Sequence, residues 1–404
     1  MLAFRGVRSS CLMSRLRRRF LSREAVQEQS VLLRSRTALQ CRRFNERAYE
    51  CQMKKLFKKD RSRNDENQEE KNIKKQKRRK TLLVLLGLIV IWGLINTCIT
   101  LIFSGMLPHH FASAQEGREK MLSNTEYYDN MTQNDLDFRM RKSGATKEEF
   151  LEASGKSVSD FYFFEKWYLN SRLARMVLHI KLKGYDLPDV EEIVFIKADM
   201  GMESGASGYT HGTQIYLDGG LVTIYALMNA IPGFSEFMDK TLYHELFHCL
   251  TRSNPQFRAD MYSLIHFTVT DMEFKLPECV LERFISNPDV EHHNAYATFL
   301  IDGNPVDCYT AYTTTKSYAE AQSGFMSNEA TVLVPIDGSD VYYTREQASN
   351  FDEVFGTNTG YVTDPEECMA DNFAYAMLYG MKGNDGKGYP NPEIIQGIID
   401  YLKR

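Results

Sequence analysis

The chain has 404 residues, 43% of them hydrophobic, which is enough for one large or two modest domains with a packed core. Its net charge of −4 hides two unequal parts: residues 1 to 80 hold 25 Lys and Arg against 9 Asp and Glu, and the remainder is acidic. A balance of +16 before residue 81 and −20 after it excludes a single folded unit with evenly mixed charge.

Residues 1–52 contain 12 Arg and no Lys, whereas 53–80 contain 9 Lys and 4 Arg. Two readings compete for this switch. One is an Arg-rich, acid-poor targeting peptide of mitochondrial type; the other, preferred, is an over-extended reading frame with Met53 as the true start. Neither puts a fold into 1–80, which is expected to be a disordered cytoplasmic tail. The basic run has no aromatic interleaving and no recognisable module, so no nucleic-acid partner is expected.

Thr81 to Phe103 carries no charge, and its 23 residues, rising about 1.5 Å each, reach across a bilayer core of roughly 30 Å. It reads as a single transmembrane helix. The tract Lys71 to Lys80 lies directly before it and the segment after it is sparsely basic, which puts the N-terminus in the cytosol and the acidic part outside. Ala112-Ser113-Ala114 looks like a signal-peptidase site, but the apolar core is about twice the usual 7 to 15 residues and the basic tract is far from the N-terminus. An uncleaved anchor is the preferred reading.

From Gln115 to Ser157 the chain is polar and charged, so 104–158 is expected to be a stalk and 159–404 the packed domain. Phe161, Phe164, Trp167, Tyr168, Leu173, Met176, Val177 and Ile180 recur at helical spacing up to Gly184. Glu192 to Ile196 reads as a strand, then a Gly-rich loop runs from Gly201 to Gly212 without a phosphate-binding spacing. Gln214 to Leu217 is the next strand, and Thr223 to Ile231 a short helix.

Pro232-Gly233 signals a turn and Ser235 an N-cap, after which Met238, Leu242, Leu246 and Leu250 keep helical spacing until Asn254-Pro255. This helix contains His244-Glu245-Leu246-Phe247-His248. Residues four apart share a face, so His244 and His248 present two imidazoles to one metal ion with Glu245 beside them. Neutral imidazole suits Zn²⁺, and a carboxylate next to a metal-bound water takes its proton as it attacks an amide carbonyl. A chain of this length matches H-E-x-x-H by accident on the order of one time in a hundred, the plain alternative being a packed or solvated helix face.

Ala259 to Val269 and Pro277 to Ile285 look helical. Short strands follow at Ala295 to Ile301, Val306 to Thr313 and Ala330 to Ile336, with a turn at Asp302-Gly303-Asn304-Pro305. The pattern is α+β without an internal repeat. His211, the run Glu291-His292-His293 and Tyr296 are open either as stabilisers of an oxyanion or as solvated bystanders.

No His follows His248 by six residues, so the metzincin arrangement is absent. Glu236, Asp239, Lys240 and Arg252 make the motif helix too polar to span a membrane. A later helix offers a carboxylate instead. With Asp364 as N-cap and Pro365 at the first helical position, Glu367 and Asp371 stack one turn apart. Glu367 is then a candidate third ligand, with Asp371 placed to receive the second N–H of a ligand histidine. Two alternatives stand: Glu367 as the N3 residue of a capping box, and Glu366 as the ligand.

On these residues the chain resembles the gluzincin class of zinc metallopeptidases, which pair H-E-x-x-H with a Glu followed four residues later by Asp. The resemblance rests on about ten residues, and the gap of 119 residues from His248 to Glu367 is longer than in the best-known members. It implies a zincin-like domain, one zinc ion held by His244, His248 and Glu367, Glu245 as general base and Asp371 orienting a ligand histidine. It also implies that the strand Gln214 to Leu217 lines the cleft and pairs with an extended peptide.

The expectation is thus a membrane-anchored, extracytoplasmic zinc metallopeptidase acting on a peptide or protein substrate. The rival is a non-catalytic tethered domain with a structural metal or none, serving adhesion or envelope organisation. Structural sites close with four protein ligands, and Cys249 or Cys368 beside the proposed ligands would supply one. With Cys279 and Cys308 they make an even count, which permits disulfides without assigning them.

Overall fold

The computed structural model describes residues 23–404 apart from 230, 232, 322 and 323, with side chains from residue 49 on apart from 62, 65–67, 69 and 326. The chain divides into two compact units, Met1–Ile91 and Trp92–Arg404. Helix α1, Arg23–Phe103, supplies the described part of the first. The stretch Glu70–Met106, made of the end of α1 and the short turn after it, is long and apolar enough to cross a membrane. Residues 23–80, expected to carry no fold, are helical. Arg, Lys, Glu and Gln favour helix, and pairs such as Glu70 and Lys74, 2.7 Å apart, link successive turns. Residues 1–22, and with them much of the question of targeting peptide or start, lie outside the described residues.

In the second unit the elements run β1 (His109–Phe111), α2 (Ala114–Ser123), α3 (Thr125–Asp129), α4 (Gln133–Met140), α5 (Lys147–Ser157), β2 (Val158–Ser159), α6 (Phe163–Lys183) and β3 (Ile193–Ala198). Next come β4 (Gly208–His211), β5 (Gln214–Asp218), α7 (Gly219–Met228), α8 (Glu236–Ser253), α9 (Pro255–Ser263), β6 (Thr268–Val269) and α10 (Glu278–Leu281). The chain ends with β7 (Ala295–Ile301), β8 (Asn304–Thr314), β9 (Glu329–Pro335), β10 (Tyr343–Thr344), α11 (Phe351–Phe355), α12 (Pro365–Tyr379) and α13 (Pro392–Tyr401).

Residues 104–158 are not a stalk. Strand β1 pairs in parallel with β3, and α2 to α5 pack on the same sheet. Ile193 and Phe195 of β3 face a core shared with α6, α8 and α12, while Val194, Ile196 and Ala198 face Met121, Tyr128, Leu136 and Phe150 from α2 to α5. Every residue of β3 is therefore buried, and a strand covered on both faces reads as a continuous apolar run. Each covering helix carries only one or two apolar anchors among polar residues, too few to mark a core-facing stripe in the sequence.

The first sheet has the order β1-β3-β5-β4, with β2 added beside β3. Strands β3 and β5 are parallel, and β4 returns antiparallel to β5 with Tyr209 opposite Tyr216. Two expectations change here. The Gly-rich loop contains strand β4, and β5 is interior, paired on both sides, so β4 is the edge nearest α8. Gly208 permits that approach: a Cβ there would lie 3.0 Å from Glu245 Oε1 and 3.0 Å from the Tyr216 carbonyl.

The second sheet is an antiparallel meander, β10-β9-β8-β7-β6. It fills the long gap between the two motif helices and returns the chain to α12. Phe247 of α8 and Phe373 of α12, both fully buried with ring centroids 5.5 Å apart, pack these helices together. Cys249, Cys279, Cys308 and Cys368 are free thiols, with Cys249, Cys308 and Cys368 buried.

Candidate metal centre

Helix α8 turns His244, Glu245 and His248 inward, and α12 meets it with Glu367. Glu367 Oε2 lies 3.0 Å from His244 Nε2 and 3.7 Å from His248 Nε2. One donor atom from each of His244, His248 and Glu367 falls within 4.8 Å of the others, close enough to hold a metal ion. Asp364 is the N-cap of α12 and Pro365 its first residue, but Glu367 does not fold back into a capping box. Its Oε1 accepts from Asn287 Nδ2 at 2.6 Å and from the Tyr361 hydroxyl at 2.9 Å.

Each imidazole is held from behind by a carboxylate. Asp371 Oδ1 lies 3.1 Å from His244 Nδ1, and Glu366 Oε1 lies 2.9 Å from His248 Nδ1. Glu366 is therefore an orienting partner and not a member of the donor cluster. Tyr262, Thr251 and Arg252 donate to it. With each Nδ1 engaged, both Nε2 atoms face Glu367. His248 Nε2 is buried and has no hydrogen-bond partner, a cost that coordination to a cation would remove.

The electrostatics also call for positive charge. Burial opposes protonation of His244, yet Asp371 and Glu367 outweigh it and hold the ring well above its usual range. Burial would raise the Glu366 carboxyl, but His248, Arg252 and Arg258 bring it down to about 2. Glu367 and Asp371 are lowered against burial in the same way, chiefly by His244. A proton on His244 does here what a metal ion would do, neutralising buried carboxylates. The donor set, two imidazoles and a carboxylate, fits a borderline metal ion.

Glu245 is 2% exposed and accepts from Thr210 Oγ1 at 2.7 Å. Burial, with Glu367 nearby, raises its pKa despite the two histidines and Thr210. A second donor group, Glu245, His248 and Asp289, shares His248 with the first.

Asp289, Asn287 and Tyr361 escaped the sequence reading, and Arg252 entered it only as a charge on the motif helix. The Tyr361 ring stacks on His244 at 6.1 Å, and no periodicity singles it out. Asn287-Pro288-Asp289 was legible as a turn signal, and Val290 N–H does bond to the Asn287 carbonyl at 3.0 Å. Of the other residues considered, His211 is buried on β4 among Tyr127, Tyr209 and Tyr216. His292 pairs with Glu273 at 3.4 Å, and His293 and Tyr296 pack around Phe274, Phe284 and Tyr309. Cys249 and Cys368 belong to neither donor group.

No protein-family model, no curated protein and no solved structure matches the chain.

Proposed function

We propose that this protein is a metal-dependent hydrolase, with His244, His248 and Glu367 as the residues that hold the ion. More specifically, it is a membrane-anchored zinc metallopeptidase, its N-terminus cytoplasmic and its catalytic domain outside. The observation that carries the reading is His248 Nε2, buried without a partner and 3.7 Å from Glu367, while its Nδ1 is engaged by Glu366. The likeness to gluzincins in H-E-x-x-H and Glu-x-x-x-Asp, and the basic tract before the apolar helix, support the finer statement.

Bound zinc supplies a Lewis acid for the scissile carbonyl and lowers the pKa of water. Glu245 takes a proton from the attacking water and passes it to the leaving amine, a task suited to a carboxylate whose pKa burial raises. Thr210 fixes the orientation of Glu245 and Tyr361 that of Glu367, to which Asn287 also donates.

Replacing Glu245 with Gln is expected to keep metal binding and to cut peptide cleavage by about 10²- to 10⁴-fold, the usual share of a general base. Metal analysis beside a peptide-library assay tests this. Wild-type cleavage by Glu245→Gln, or undiminished metal in His248→Ala, would overturn the reading.

A further inference from the structure

Six residues, Ser286 to Glu291, lie across the centre and are tied down at both ends. At the start, Asp135 accepts from Ser286 N–H at 3.0 Å, and Arg139 donates to the Ser286 carbonyl. At the far end, Arg252 donates to the Asp289 carbonyl at 2.6 Å and pairs with Glu291 at 2.9 Å. Two N–H groups of the β4 side of the sheet are taken as well: Asp289 accepts from Thr210 N–H and Glu291 from Gly212 N–H, both at 2.6 Å.

Asp289 goes further in. It is 6% exposed, and its Oδ1 lies 3.8 Å from the partnerless His248 Nε2. It also stands within 4.8 Å of a Glu245 oxygen. Two buried carboxylates at that distance repel when both are ionised, which a shared proton or a cation between them relieves, and His248 Nε2 marks where a cation would sit.

We propose that the 286–291 turn is a latch: Asp289 is a further ligand of the cation held by His248, and with Glu291 it blocks the β4 edge until the turn withdraws. This rests on the metal reading above. The resting centre then has four protein ligands, like a structural site, and becomes open when Asp289 leaves. Asp289 differs from the other three because it comes from a turn, held by side chains, and not from a packed helix. An extended peptide would compete with Asp289 and Glu291 for the same N–H groups.

The test uses the full chain in detergent micelles, stripped with a chelator and reloaded with Co²⁺ as a visible probe. In Asp289→Asn the side chain still accepts from Thr210 N–H but loses its charge. The cobalt absorption band is expected to change, the ion to be released at roughly tenfold lower chelator concentration, and peptide cleavage to rise. A band and release curve identical to wild type would overturn the latch and leave Asp289 as an acceptor for Thr210 alone. Weaker binding without any gain in cleavage would overturn it too, since the carboxylate then completes a closed site. If Asp289→Asn fails to fold, Asp289→Glu carries the same test: its longer arm must move the band, and an unmoved band counts against the proposal. His248→Ala, run in parallel, separates the two readings. Equal cobalt uptake by His248→Ala and wild type removes the metal centre itself, whereas uptake lost in His248→Ala and indifferent to Asp289 removes only the latch.

Discussion

Both Nδ1 atoms at the centre are occupied by carboxylates, and that decides which nitrogens are left to face Glu367. Asp371 does this for His244 while also pairing with Lys240 at 3.0 Å and accepting from Thr359 at 2.6 Å. Asp371→Asn keeps the shape but halves the acceptor capacity and removes the charge. Metal affinity, measured by chelator competition, is expected to fall about 10- to 100-fold with the fold intact by circular dichroism. Unchanged affinity would reduce Asp371 to a partner of Lys240. At this scale the sequence was informative where one helix carried the information: His244, Glu245 and His248 are defined by spacing alone. Glu366 and Glu367 are neighbours with different tasks, and only their faces on α12 tell them apart.

The meeting of α8 and α12 is what holds residues 119 apart in one site. Phe373 is fully buried against Phe247, one residue before His248. Phe373→Ala is expected to cost about 3 to 5 kcal/mol in a urea titration, the usual range for emptying a packed aromatic site. It should also speed metal loss, because the cavity opens directly behind the ligand helix. Loss of stability without faster metal release would show that the Phe247–Phe373 contact does not position the ligands. The boundaries of β7 and the presence of β8 and β9 followed from alternation and a Gly-Asn turn. Strand β4 did not: its Gly and polar residues read as loop, and only pairing with β5 and contact with Glu245 make it a strand.

Across the whole second unit, polar helices from 114 to 157 cover one face of the first sheet, and the half-buried His293 packs elsewhere, against Phe284 and Tyr309. Burial lowers the His293 pKa to about 4, with Glu273 opposing and His292 reinforcing the shift, so the folded chain keeps this ring neutral. An unfolded chain takes up that proton near pH 6.5. The stabilisation from a neutral His293 is therefore full above about pH 6.5 and is lost as pH falls toward about 4. Compared with His293→Gln in metal-free protein, the wild type is expected to lose about 2 kcal/mol of its relative stability between pH 7 and pH 5. Parallel urea midpoints at the two pH values would contradict a neutral His293 in the folded chain.

Local pattern alone determined the apolar span, the two motif helices and the donor types on each, because hydropathy, capping and i,i+4 spacing act within one element. Tertiary structure decided which carboxylate faces which imidazole, that 104–158 is part of the packed body, and that Asp289 enters the centre. Those outcomes depend on contacts between residues far apart in the chain, where no short-range period carries a signal.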